Sequence, residues 1–84
     1  MSETARILLI DDDESVRKTI SKALTKAGYR VDTAENGTEA LEKAQANFYN
    51  LALIDIRLPD VEGTKLLDAM KDTTPRMIKI ILTG

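Results

Sequence analysis

Apolar residues follow two different rhythms along this chain. Ile7 to Ile10 form an unbroken, β-branched-rich run. So short a run without alternation predicts a strand buried on both faces, as in parallel sheets. Over 14–27 the spacing becomes helical. Val16, Ile20, Ala23, Leu24 and Ala27 share a face, leaving Arg17, Lys18, Lys22 and Lys26 outside. Asp13 stands where an N-cap belongs and Gly28 where a helix stops. Tyr29 to Ala34 alternates like a half-buried or edge strand. After Asn36-Gly37, the stretch Thr38 to Asn47 carries Ala40, Leu41 and Ala44 on one helical face. Leu51 to Ile54 is a second apolar run, closed by Asp55. A loop from Ile56 to Gly63 holds Pro59, and Thr64 to Lys71 predicts a helix with Leu66, Leu67 and Met70 inward. Pro75 interrupts the chain, and Met77 to Leu82 predicts a last strand ending at Thr83-Gly84.

Strands and helices therefore alternate, beginning and ending on a strand. That order predicts an α/β fold with a parallel sheet, helices on both faces and right-handed crossovers. No repeat, linker or low-complexity segment interrupts it. The last strand is the exception to a tidy domain. Ile78, Ile80, Ile81 and Leu82 are broken only by Lys79. A parallel strand of that character requires neighbours on both sides and cover on both faces. The 84 residues thus read as a piece of a larger domain, whose free edge is met by more chain or by a partner.

Composition narrows the chemistry. Charged residues are 31% and hydrophobic ones 43%, the balance of a folded globular protein. The net charge of -2 and the lack of a basic block leave no footprint for nucleic acid. There is no cysteine and no histidine, so disulfides, thiolate metal sites and imidazole acid–base chemistry are excluded. The apolar runs are too short to span a membrane, and MSETAR lacks the core of a secretory signal. The expectation is a cytoplasmic protein.

Against this background the segment RILLIDDDES is conspicuous, because it drives an apolar run straight into four acids. Neighbouring strands of a parallel sheet end on the same side, and ligands bind beyond those ends near the point where strand order reverses. Asp11 and Asp12 end the first strand, Asp55 the third and Thr83 the fourth. If the first and third strands are neighbours, three carboxylates converge. Two unit charges about 4 Å apart repel by roughly 4 kcal/mol at an effective dielectric near 20. A hard divalent cation suits such an all-oxygen set, and Mg²⁺ often adds a phosphoryl oxygen to its ligands. A carboxylate is also a nucleophile, giving an aspartyl phosphate. Thr83 would place a hydroxyl at the rim, able to donate to a phosphoryl oxygen.

Plainer roles exist for each residue. Asp13 and Glu14 suit a helix cap and first-turn acids. Asp11, Asp12 and Asp55 taken singly are loop acids, Thr83 suits any strand, and Arg57, Lys65 and Lys71 are solvated charges. Other ligand classes fit worse. The acids do not alternate around a glycine between two helices, as an EF-hand requires. No glycine-rich loop ending in Lys-Ser or Lys-Thr and no dinucleotide fingerprint occurs.

Four segments, ILLIDDDES, AENGTEALE, LALIDIRLPDVEG and IILTG, together and in this order, closely resemble the receiver (phosphoacceptor) domain of two-component response regulators. The resemblance runs from Arg6 onward. It implies a flavodoxin-like, doubly wound parallel sheet of order 2-1-3-4-5. Residues 1–84 would be a partial receiver domain, truncated to four strands in order 2-1-3-4 with three helices, without the fourth helix, fifth strand and fifth helix. Asp55 resembles the phosphorylated aspartate. Asp11 and Asp12 resemble the Mg²⁺ pair, Asp12 binding directly and Asp11 mostly through water. The backbone carbonyl of Arg57 would be a further metal ligand, and Thr83 the switch hydroxyl. Pro59 and Gly63 match the loop that shapes the site. The implied phosphoryl donor is a sensor histidine kinase, and the chain is a self-modifying acceptor rather than an enzyme.

The family's phosphoryl-pairing lysine and aromatic switch residue fall beyond Gly84, so acceptance and relay are expected to be impaired in this fragment. The uncovered fourth-strand side predicts a homodimer. One competing reading is an interaction module with the same fold but no phosphorylation. Another is an Mg²⁺-dependent phosphohydrolase of the haloacid dehalogenase type. That chemistry needs a second aspartate two residues after the nucleophile, where Arg57 follows Asp55.

Overall fold

A computed structural model describes residues 4–82. Its elements are β1 (Arg6–Ile10), α1 (Glu14–Lys26), β2 (Arg30–Ala34), α2 (Gly37–Ala46), β3 (Leu51–Asp55), α3 (Gly63–Thr73) and β4 (Ile78–Leu82). The boundaries are set by local chemistry. Asp13 caps α1, its carboxylate accepting from the amides of Ser15 at 2.8 Å and Val16 at 3.2 Å. At the other end Gly28 adopts φ 104°. Its amide donates to Thr25 and that of Tyr29 to Leu24, a Schellman closure that only glycine adopts without strain. Asn36 caps α2 through the Glu39 amide at 2.8 Å.

The four strands form one parallel sheet in the order β2-β1-β3-β4. The expected architecture and strand order are both present. β1 is central: Ile7 is 3% exposed and Leu8, Leu9 and Ile10 are fully buried, which is why its sequence does not alternate. On one face Leu8, Ile10, Ala52 and Ile54 pack with Ala40 and Ala44 of α2 and Leu66 and Met70 of α3. Full burial of such a side chain stabilises the fold by about 1.5–3 kcal/mol.

The other face is covered less. α1 packs there on β1 and β2, yet none of its residues is buried, and Ala23 and Ala27 are exposed. The helix has no second helix beside it among the described residues. On β4, which pairs with β3 on one side, Ile78 is 65% and Ile80 44% exposed, in line with the expected uncovered side of the last strand. Arg17 differs from the expected solvated position. Its side chain is only 16% exposed, because a long guanidinium on the helix flank reaches back over the end of β1.

Tyr49, between α2 and β3, is buried and stands out in the core. Its hydroxyl donates to Asp32 at 2.6 Å. The Arg6 guanidinium lies 5.2 Å from the ring centroid and 3.5 Å from the same Asp32. Burial, reinforced by the hydrogen bond and charge of Asp32, pushes the Tyr49 hydroxyl up to about 12.

Candidate functional site

The pairing of β1 with β3 sets Ile10 opposite Ile54. The next residue on each strand is an aspartate, so Asp11 and Asp55 leave the sheet side by side. Here the chain order reverses, with β2 on one flank of β1 and β3 on the other, the place where open parallel sheets bind ligands. Asp12 joins them. One carboxylate oxygen from each of Asp11, Asp12 and Asp55 lies within 4.8 Å of the others.

The three differ in environment. Asp11 is buried, Asp55 half-buried and Asp12 exposed. Burial raises the Asp11 carboxyl above its ordinary range, and the charges of Asp55, Asp12 and Asp13 add to that effect, against the lowering bond from the Asp13 amide. The folded chain therefore holds this proton more tightly than the unfolded chain does. Stability is lost as pH rises through the raised value, so ionisation of Asp11 works against the fold.

Asp11 is fixed from several directions. Its amide continues the ladder to Ala34 at 3.0 Å, and its Oδ1 accepts from the Asp13 amide at 2.9 Å. Its carbonyl accepts from Arg17 Nη1 at 2.7 Å, while the other Arg17 nitrogen lies 3.8 Å from Glu35. Arg17 is a site-supporting residue that sequence periodicity missed. Its helical position marks it as outward, and only the proximity of the β1 end shows otherwise.

Asp55 is set by the loop that follows it. Its Oδ1 accepts from the Arg57 amide at 3.1 Å. The Gly63 amide returns to the Ile56 carbonyl at 2.9 Å. A Cβ on Gly63 would lie 2.6 Å from the Asp55 carbonyl oxygen and 2.8 Å from Ile56 Cα, so glycine is required by this approach. The Arg57 side chain is exposed and its backbone bridges to Glu62. Thr83 lies outside the described residues.

None of the ion pairs among the described residues involves Asp11, Asp12 or Asp55. Lys79 does not help: its ammonium donates to the carbonyls of Thr74 and Met77, the latter at 3.0 Å, near the start of β4. An uncompensated, all-oxygen carboxylate triad fits a hard divalent cation.

Comparison with known proteins agrees with this geometry. The family model described as the response regulator receiver domain matches residues 7–84. Response regulator receiver protein CpdR of Brucella abortus is 38% identical over 79 residues, covering 94% of this chain and 66% of that protein. The DNA-binding transcriptional regulator NtrC of Escherichia coli is 38% identical over 78 residues, 93% of this chain and 17% of that protein. A CheY-like receiver domain structure from Methanospirillum hungatei superimposes with a TM-score of 0.95 at 43% identity, over 98% of this chain and 66% of that one. The response regulator TrrA of Thermotoga maritima, solved with Mg²⁺ and BeF, gives a TM-score of 0.90 at 35% identity, over 95% of this chain and 70% of that one. The chain thus spans just under two thirds of CpdR and a smaller share of the longer regulators. No described helix is long and apolar enough to cross a membrane. With the sheet order, the position of the aspartates at its reversal point and these matches in agreement, this chain belongs to the receiver domain family of two-component response regulators.

Proposed function

We propose that this chain accepts a phosphoryl group on Asp55 from the phosphohistidine of a sensor kinase, in an Mg²⁺-dependent reaction. The observation that carries the reading is the convergence of three carboxylates within 4.8 Å with no protein cation paired to them among the described residues. Asp11, Asp12, Asp55 and the Arg57 backbone carbonyl would hold the metal. When bound, it would offset the charge shared by carboxylates and phosphoryl oxygens. TrrA, solved with Mg²⁺ and BeF, supports the assignment.

The residues divide the work. The Arg57 amide occupies Asp55 Oδ1, which leaves Oδ2 to attack phosphorus. The new O–P bond replaces the P–N bond of the donor, and the electron pair of that bond stays on the imidazole nitrogen, which takes up a proton. Arg17 and the Asp13 amide hold Asp11 in place while this happens. Thr83 would donate to a phosphoryl oxygen. Lys79 is committed elsewhere, so the 84 residues alone should accept slowly and relay the change poorly. A cytoplasmic setting belongs to the same proposal.

The test is incubation with acetyl phosphate and Mg²⁺, read by intact mass. Partial gain of one phosphoryl group, abolished by Asp55→Asn and by chelation, is expected. Label on another residue, or steady turnover of p-nitrophenyl phosphate, would overturn the acceptor assignment. Stoichiometric, long-lived modification would overturn the impairment.

The exposure of Ile78 and Ile80 favours a second property, self-association through the β4 side. Sedimentation is expected to show dimers or larger species, returned to monomer by Ile80→Lys. A well-folded wild-type monomer at high concentration contradicts this. If the fold serves only as an interaction module, partner binding will be indifferent to Mg²⁺ and to Asp55→Asn.

A further inference from the structure

The loop between Asp55 and α3 is fastened at its tip by a contact outside the carboxylate triad. Asp60 lays its carboxylate over the start of α2. Its Oδ1 accepts from the Gly37 amide at 2.8 Å, and its Oδ2 from the Thr38 amide at 3.0 Å and the Thr38 hydroxyl at 2.8 Å. These three donors hold the Asp60 carboxyl below its ordinary range. α2 is thereby capped twice, by its own Asn36 through the Glu39 amide and by a residue from another element. The loop also lies against the helix: a Cβ on Gly37 would stand 2.3 Å from Val61 Cγ1.

The base of the same loop is closed on β3. Gly63 donates to the Ile56 carbonyl, Arg57 bridges to Glu62, and the Arg57 amide holds Asp55 Oδ1. Arg57 therefore sits between a fixed base and a tip whose position depends on Asp60. Charge-assisted bonds from an acid to backbone amides are among the stronger ones. Without them the tip keeps only apolar packing, Val61 against Gly37 and Leu58 and Val61 against the core.

We propose that Asp60 is a positioning residue for the carboxylate site, acting through the loop. By seating the loop tip on α2 it sets where the Arg57 amide meets Asp55 and where the Arg57 carbonyl stands relative to the triad. The inference rests on the Mg²⁺ site proposed above. Its consequence is that metal affinity depends on a residue that is not itself a ligand.

The experiment is an Mg²⁺ titration of the 84-residue chain by NMR, with urea unfolding measured in parallel. Asp60→Ala is expected to weaken Mg²⁺ binding about tenfold, the scale typical of outer-shell partners. Asp60→Asn keeps one amide acceptor and should recover part of that loss. Asn36→Ala removes the other cap of α2, and should lower stability while leaving Mg²⁺ affinity unchanged. Affinity equal to wild type in Asp60→Ala overturns the proposal, as does an equal loss of affinity in Asn36→Ala. If Asp60→Ala does not fold, Asp60→Asn decides, an unchanged affinity counting against the proposal. A wild-type chain that binds no Mg²⁺ instead refutes the site itself, a result seen before any variant is compared.

Discussion

Tyr49→Ala is expected to leave the chain largely unfolded in water. Removing a fully buried aromatic side chain costs about 3–5 kcal/mol, against roughly 4–12 kcal/mol for a chain of this length at ordinary per-residue stability. The loss here is compounded, because the ring also seats the Arg6 guanidinium and its hydroxyl satisfies Asp32. The milder Tyr49→Phe separates packing from the hydrogen bond. In the wild type the hydroxyl must stay protonated to donate, and its value rises from 10.0 to about 12 on folding. Its contribution is therefore intact below pH 10 and disappears as pH rises through about 12. At ~1.4 kcal/mol per unit the stability lost on ionisation is about 3 kcal/mol, burial of the phenolate being its largest cause and the bond to Asp32 the next. Urea midpoints by circular dichroism should show the gap between wild type and Tyr49→Phe closing over that interval. A gap that stays constant would mean that folding does not raise the hydroxyl.

Gly63→Ala is expected to do the most harm to the site for the smallest change in the sequence. The added Cβ meets the Asp55 carbonyl oxygen and Ile56 Cα, both main-chain atoms that cannot swing aside. Relief requires moving β3 at its functional end, or lifting α3 and with it Leu66 and Met70 from the core. Overpacking of this kind costs about 1–3 kcal/mol and sometimes more. The larger effect is on position, since a displacement of Asp55 by even about 1 Å is enough to cost on the order of a hundredfold in rate. Labelling by acetyl phosphate should fall below detection in Gly63→Ala while circular dichroism still reports a folded α/β chain. Retained labelling with an unchanged unfolding midpoint would show that the approach relaxes without disturbing Asp55.

How much of this was legible in the chain depended on the physical origin of each feature. Ile7 to Ile10 announced a central strand because burial on both faces removes alternation, and Leu51 to Ile54 read as a second apolar run, although Leu51 and Leu53 are only half-buried. Asp13, Asn36 and Gly28 marked helix ends because capping is a local matter of a few bonds. The acids at the strand ends followed directly. Arg17 was misplaced because helical periodicity reports only an angle around its own axis. It contains no information about what lies beyond the end of a neighbouring strand. Tyr49 gave no signal for a similar reason. It occupies a short connection, Asn47 to Asn50, with no period to read, and its burial depends on Arg6 and Asp32 from two other strands. Asp60 resembled any polar residue after a proline until α2 came within reach of it.

The amino-acid sequence by itself determined the alternation of elements, the central strands and the family, and it placed carboxylates at the ends of β1 and β3. The family rested on the resemblance of four segments, and the rest on burial periods and capping, which act within one element. Tertiary structure alone decided that Ile10 stands opposite Ile54, so that Asp11, Asp12 and Asp55 share one 4.8 Å cluster. It also decided that Arg17 and Asp60 serve as struts, and that Gly63 must lack a side chain. Those relations join residues far apart in the chain through strand pairing and close packing, and no local pattern of apolar and polar residues encodes a distance between two elements.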